Sequence, residues 1–171
     1  MMLQETNFTL KKDYHPGTVG RIVELHATYY GTHWGFGAFF EAKIASDLAE
    51  FVMRYDPSRD LLLTAWNNQE FVGSIAIDGI EYDEKGAHLR WFIVAENCTG
   101  KGIGKKLLSQ AMSFCKTKGY KKVYLWSFKG LNAARHLYEN AGFKLVREHL
   151  GKQWGKVVME QLFEWREGAS Q

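Results

Sequence analysis

Thr99-Gly100-Lys101-Gly102-Ile103-Gly104-Lys105 follows an apolar run at residues 89–94. It precedes a stretch in which Ile103, Leu107, Leu108, Ala111, Met112 and Cys115 recur at helical spacing. A strand that turns through glycines into a helix presents backbone N–H groups with no intrahelical partner, and such a helix end attracts phosphate. The glycines at 100, 102 and 104 remove Cβ atoms where a ligand approaches the main chain, and Lys101, Lys105 and Lys106 place positive charge around the turn. The segment therefore predicts a pocket for the pyrophosphate of a cofactor. Two common nucleotide loops are excluded by spacing. A P-loop needs Gly, four residues, then Gly-Lys-Ser/Thr, a frame absent around Gly104-Lys105, and a dinucleotide fingerprint needs glycine where Lys105 stands.

Periodicity orders the rest of the chain. Residues 8–12 alternate as an edge strand does, 19–30 carry Ile22, Val23, Leu25 and Tyr29 at helical spacing, and 38–53 form a second helix burying Phe39, Phe40, Ile44, Leu48, Phe51 and Val52. The glycine-punctuated aromatic segment 31–37 reads as the loop between them. Residues 61–66 and 70–77 flank Asn67-Asn68-Gln69 as a hairpin. An acidic loop at 78–84 leads to a strand at 87–94. After the glycine turn come a helix closed by Gly119, a strand at 122–127, a short helix from Asn132 to Gly142, and strands at 144–148 and 156–163. Strands first and a helical crossover later imply a mixed sheet.

About thirty residues beyond the glycine turn stands Asn132-Ala133-Ala134-Arg135-His136-Leu137-Tyr138-Glu139-Asn140-Ala141-Gly142-Phe143. With these two motifs in this order, the chain resembles the GNAT family of acetyl-CoA-dependent N-acetyltransferases over most of its length, from about residue 15 to Trp165. The resemblance implies an α/β (α+β) fold: a mixed, mostly antiparallel twisted sheet of about seven strands with a splayed central pair, and four helices. It implies one acetyltransferase domain over residues 1–171, binding acetyl-CoA. Thr99 stands where the family's pyrophosphate motif usually has Arg or Gln, and its short hydroxyl can cap the helix or touch a phosphate oxygen. His15-Pro16-Gly17, the segment His26 to Gly35 and Gln153-Trp154-Gly155 look most like the acetyltransferase domain fused to MarR-type regulators. Only fourteen residues precede His15, too few for a winged helix, so the expectation is the catalytic half alone, without DNA binding.

Carried onto this chain, the family pattern assigns the pyrophosphate to residues Thr99 to Lys105 and the pantetheine amides to the backbone of Phe92, Ile93 and Val94, whose strand groups the splay leaves unpaired. Asn132 would hold the pantetheine region, cap its helix, or do both through different atoms. Acetyl transfer to an amine needs an unprotonated amine, a stabilised oxyanion and a proton for the departing thiolate. Tyr138 matches the family's general acid. His88, fourteen residues before Gly102, occupies a strand position that carries a catalytic glutamate in histone-type relatives. Alternation places His88 and Arg90 on one face and Leu89 and Trp91 on the other, and the cation keeps the imidazole neutral as a candidate base. A surface histidine with a water chain as base is the other reading. Tyr30, Trp34 and Phe36 border the region that covers the acceptor in relatives, and they are the candidate substrate contacts, although packing of the helix pair is the commoner role for most aromatics there.

Composition sets outer bounds. The 171 residues are 46% apolar and 24% charged with net charge +3, which suits one soluble domain and argues against nucleic acid. No apolar run reaches membrane-spanning length and no signal peptide is evident, so a cytoplasmic protein is expected. Cys98 and Cys115 suit reduced, passive thiols. His26 and His33 lack a third ligand at metal spacing, so no metal is expected. The acceptor is read as a small-molecule amine. A protein or peptide amine, and a non-catalytic acyl-CoA sensor, remain alternatives. Exposed strand edges leave a homodimer open.

Overall fold

The computed structural model describes residues 7–169. Its elements run β1 (Phe8–Lys12), α1 (Thr18–Trp34), α2 (Ala38–Met53), β2 (Leu61–Asn67), β3 (Glu70–Asp78), α3 (Tyr82–Lys85), β4 (Ala87–Val94), α4 (Ile103–Thr117), β5 (Lys122–Phe128), α5 (Asn132–Asn140), β6 (Lys144–Gly151) and β7 (Val158–Arg166). The strands form a seven-stranded sheet in the order β1-β2-β3-β4-β5-β7-β6, mixed and mostly antiparallel. β4 and β5 are the parallel pair, and α4 is the crossover between them.

Both faces of the sheet centre are covered, which is why β2 reads Leu-Leu-Leu-Thr-Ala-Trp without polar alternation. Leu61, Leu63 and Ala65 join the core under α4, while Leu62 points the other way, into a core with Ile22 of α1 and Leu48 and Phe51 of α2. Ile22, Leu48 and Phe51 are fully buried. Each such side chain contributes about 1.5–3 kcal/mol through burial, so the α1–α2 layer is fixed to the sheet by apolar packing.

Four differences from the sequence expectation have physical causes. α1 continues through Gly31 to Trp34. Glycine inside a helix costs about 1 kcal/mol, and the stacked and edge contacts of Tyr29, Tyr30, His33 and Trp34 offset it. The helix stops at Gly35, whose φ of 69° is left-handed, with the Phe36 N–H turned back onto the Tyr30 carbonyl. The acidic stretch 78–84 is not all loop: residues 82–85 close one helical turn, with a Glu81–Lys85 ion pair beside it. β6 runs on to Gly151 and β7 to Arg166, because Leu150 and Gly151 pair with Met159 and Val158, and Trp165 and Arg166 with Val123 and Lys122.

The fourth difference matters most for the site. Ala76 pairs with Arg90 and Ser74 with Ile93, so Trp91 and Phe92 together oppose Ile75 in a bulge, with Trp91 at φ 48°. A one-residue insertion shifts the period-two phase of a strand. Trp91 therefore lies in the α1–α2 core against Phe51, beneath the Arg90 guanidinium, instead of sharing the face of Leu89.

Candidate active site

β4 and β5 are paired only at Ala87–Val123 and His88–Tyr124. Beyond His88 the strands diverge, and the β4 edge that faced β5 has no further strand pairing. Buried main-chain groups require partners, so this wedge is a place where a ligand with amide groups can lie. Two cavities meet in it, sharing Tyr30, Phe92, Leu131 and Ala134 as a common wall.

The larger cavity, about 670 Å³, is a groove running from Phe92, Ile93 and Val94 past Thr99, Gly100, Gly102, Ile103, Gly104 and Lys105 to Asn132. The expected cofactor residues are thus brought together, with one exception: Lys101 is exposed and lies outside the lining. The three glycines serve different ends. Gly100 and Gly102 have φ of 78° and 80°, and a Cβ on either would project into open space. Gly102 is the N-cap of α4, made with no side-chain cap. A Cβ on Gly104, by contrast, would press on Leu137 Cδ1 at 3.2 Å, so that glycine lets α4 and α5 approach. The first α4 N–H groups have no intrahelical partner, as at any helix start. They open on this groove beside Lys105, an arrangement that suits an anion. A pyrophosphate fits this cradle, and the unpaired β4 edge fits the amides of a pantetheine arm.

Thr99 does not cap α4. Its hydroxyl donates to the Glu96 carbonyl at 2.9 Å and closes the single 3₁₀ turn before the loop. Asn132 is the first residue of α5 after Leu131 as N-cap, and the helix start carries no side-chain cap, which leaves the Asn132 amide to the groove. At the groove's far end His33 Nε2 meets Glu96 at 3.1 Å, tying the end of α1 to the loop after β4.

The second cavity, about 330 Å³, lies on the α1–α2 side of the wedge and holds both expected catalytic residues, His88 and Tyr138. Tyr138 is 6% exposed, packed against Phe92, Phe143 and Phe163. Burial, and secondarily Tyr30, pushes its phenol above the ordinary range, so it stays protonated. His88 stacks on Tyr124 at 4.4 Å. Burial lowers its pKa to about 3, with Arg90 adding to the effect and Asp78 opposing it. The cation foreseen in the sequence is therefore the lesser cause. Such an imidazole accepts a hydrogen bond at neutral pH but is too weak a base to hold an ammonium proton.

Of the three candidate substrate contacts, Tyr30 lines both cavities and Trp34 the groove. Phe36 lines neither. It is 7% exposed, stacked on Tyr30 and in edge contact with Phe40, and is a core residue because α1 runs past the expected loop and turns Phe36 inward. Sequence reasoning missed much of the smaller cavity's lining, including His26, Lys43, Asp47, Trp126 and Trp154. His26 had a legible signal: Ile22, His26 and Tyr30 stand four apart, on one face of α1.

A family model, the Acetyltransferase (GNAT) family, matches residues 20–143. The chain belongs to that family. This GNAT chain is an acetyltransferase, and its fold implies a capacity to bind coenzyme A. It is 29% identical over 87 residues to human N-acetyltransferase 8B, a match that spans 51% of this chain and 38% of that protein. Among solved structures, a GNAT acetyltransferase from Staphylococcus aureus superposes with TM-score 0.74 at 21% identity over 94% of this chain and 99% of the other. Arabidopsis thaliana NAA60, in complex with a bisubstrate analogue, superposes at 0.69 with 16% identity over 95% and 100%. Among the described residues, no helix of this chain is long and apolar enough to cross a membrane, and no group of three His, Cys, Asp or Glu side chains is placed to hold a metal.

Proposed function

We propose that this GNAT chain transfers an acetyl group from acetyl-CoA directly to the primary amine of a small molecule. The observation that carries the reading is the pairing of cavities: a long groove suited to CoA opens, across Tyr30 and Phe92, into a smaller chamber holding Tyr138. The β6–β7 turn contributes Gln153 and Trp154 to the chamber's lining; its Lys156 ammonium donates to the Trp34 carbonyl at 2.6 Å and its Trp154 ring packs on Phe128. A chamber of about 330 Å³ with aromatic walls favours a free metabolite over a protein chain laid across a long cleft. The likeness of His15-Pro16-Gly17, the segment His26 to Gly35 and Gln153-Trp154-Gly155 to MarR-fused domains is the ground for placing the chain in that subgroup.

Acetyl-CoA, when bound, supplies an activated acetyl thioester. The residues do the remainder. Thr99, Gly100 and residues 102–105 at the start of α4 would hold the pyrophosphate, and Phe92, Ile93 and Val94 together with Asn132 the pantetheine arm along the wedge. Tyr138, kept protonated by burial, donates its proton to the departing sulfur. His88 accepts a hydrogen bond from the incoming amine, and the proton released leaves by way of water. Free-thiol release across amines, amino acids and peptides, run beside calorimetric CoA titration, tests the reading. Turnover of free amines is expected. Turnover of peptides alone would overturn the small-molecule assignment, and absence of CoA binding would overturn the whole.

A further inference from the structure

The chamber's chemistry narrows the acceptor further, on the basis of the function proposed above. Its walls are aromatic: Tyr30, Phe40, Trp91, Trp126, Phe128 and Trp154. A volume of about 330 Å³ is at the lower end for ligand sites and suits one compact molecule. Three formal charges line it: Lys43, Arg90 and Asp47. Asp47 is the chamber's only lining carboxylate, and it is held between the other two, 3.1 Å from Lys43 and 3.6 Å from Arg90. Arg90 also bonds Asp78 at 3.1 Å, but Asp78 lies behind the lining and is already chelated by Arg54. The lining thus carries a surplus of one positive charge. An acceptor with a second cation finds no free carboxylate, whereas an acceptor with an anionic group meets two cations, Lys43 and Arg90, that share one lining carboxylate.

His26 supplies the other end. It is 5% exposed, and its Nδ1 lies 2.8 Å from the Ile22 carbonyl, which can only accept, so Nδ1 bears the proton. Nε2 of the neutral ring then carries a lone pair, on a residue that lines the chamber, and an amine N–H can donate to it. We infer that the acceptor is an amino acid with a large apolar or aromatic side chain, its amine received by His26 Nε2 and its carboxylate by Lys43 and Arg90. The amine nitrogen forms the amide bond as the thioester C–S bond breaks. Two protons leave the original ammonium group in balance: one ends on the CoA sulfur and one in solvent.

Matched acceptors test this: phenylalanine against phenethylamine, tryptophan against tryptamine, and putrescine as the dication, each by thiol release at saturating acetyl-CoA. The acids should lead their decarboxylated partners by at least about tenfold in kcat/KM, the scale of one charge-assisted contact, and putrescine should be the poorest. Lys43→Gln should shrink that lead through KM for the acids. His26→Phe, which keeps a ring in place, should raise KM for every acceptor more than it lowers kcat, with CoA affinity unchanged. Equal or better turnover of the decarboxylated amines or putrescine overturns the inference, as does CoA binding with no amino acid turned over. Loss of CoA binding would instead strike the underlying function.

Discussion

Lowering the pH from 7 to 5 should cost this fold several kcal/mol through two histidines that it holds neutral. Burial lowers the pKa of His26 to about 4, with the bond to the Ile22 carbonyl opposing in part, and that of His88 to about 3. A histidine in the unfolded chain titrates near ~6.5. Below that value the unfolded chain binds protons that the folded chain refuses. Stability is therefore full above ~6.5 and falls as pH drops toward the folded values. At about 1.4 kcal/mol per pH unit, the step from 7 to 5 removes about 2 kcal/mol for each histidine and about 4 kcal/mol for the pair. Total stabilities are about 5–15 kcal/mol, so the effect is large. Urea unfolding at the two pH values measures it. His26→Gln removes one titrating group, so the variant should lose about 2 kcal/mol less than the parent between pH 7 and 5, whatever the substitution costs at pH 7. Identical pH dependence in variant and parent would refute the neutrality of buried His26.

Three further outcomes can be checked. Tyr138→Phe should lower kcat by about 10²-fold or more while CoA affinity by calorimetry stays unchanged, as loss of a proton donor used only in the transition state requires. Gly102→Val should abolish CoA binding while circular dichroism reports an intact fold, because the β-branched side chain would stand at φ 80° and project into the open groove. Gly130→Ala should lower stability by about 1–3 kcal/mol and weaken CoA binding, since its Cβ would run into the Trp34 ring that lines the groove. Thermal unfolding and CoA titration of the same preparation measure both effects.

Local patterns were what the sequence made legible. Three glycines at alternate positions marked the turn into α4, and alternation at β1 followed by apolar runs between turn residues located β1 to β5 within a residue or so. Where a residue's role depends on what packs against it, the sequence was silent. Gly31 looked like a breaker because its helix is held by rings contributed from Phe128 and Phe40, remote in sequence. Phe36 looked like a substrate contact because nothing local distinguishes an aromatic that lines a cavity from one that closes a core. The lysine and aspartate of α2 that edge the chamber, Lys43 and Asp47, stand i,i+4 like any oppositely charged pair on a helix surface. Only the docking of α2 beside Arg90 gives them a cavity to face.

The bulge in β4 shows most clearly why composition could not reveal the site. An unbulged strand would place Trp91 on the side of Leu89 under α4 and would turn Phe92 toward α2. Inserting one residue puts Trp91 in the chamber wall beside Arg90, and brings Phe92 against Tyr138 as the wall shared with the groove. The bulge is pinned from β3, where the buried Ser74 hydroxyl donates to the Trp91 carbonyl at 2.7 Å. That bond accounts for a serine in the apolar middle of β3, since a buried carbonyl displaced from its ladder requires a donor. The same few residues carry the loss of pairing to β5 just beyond His88. Splay and bulge thus act together: the first frees the β4 edge for a ligand, and the second aims consecutive side chains into the two cavities that ligand must join.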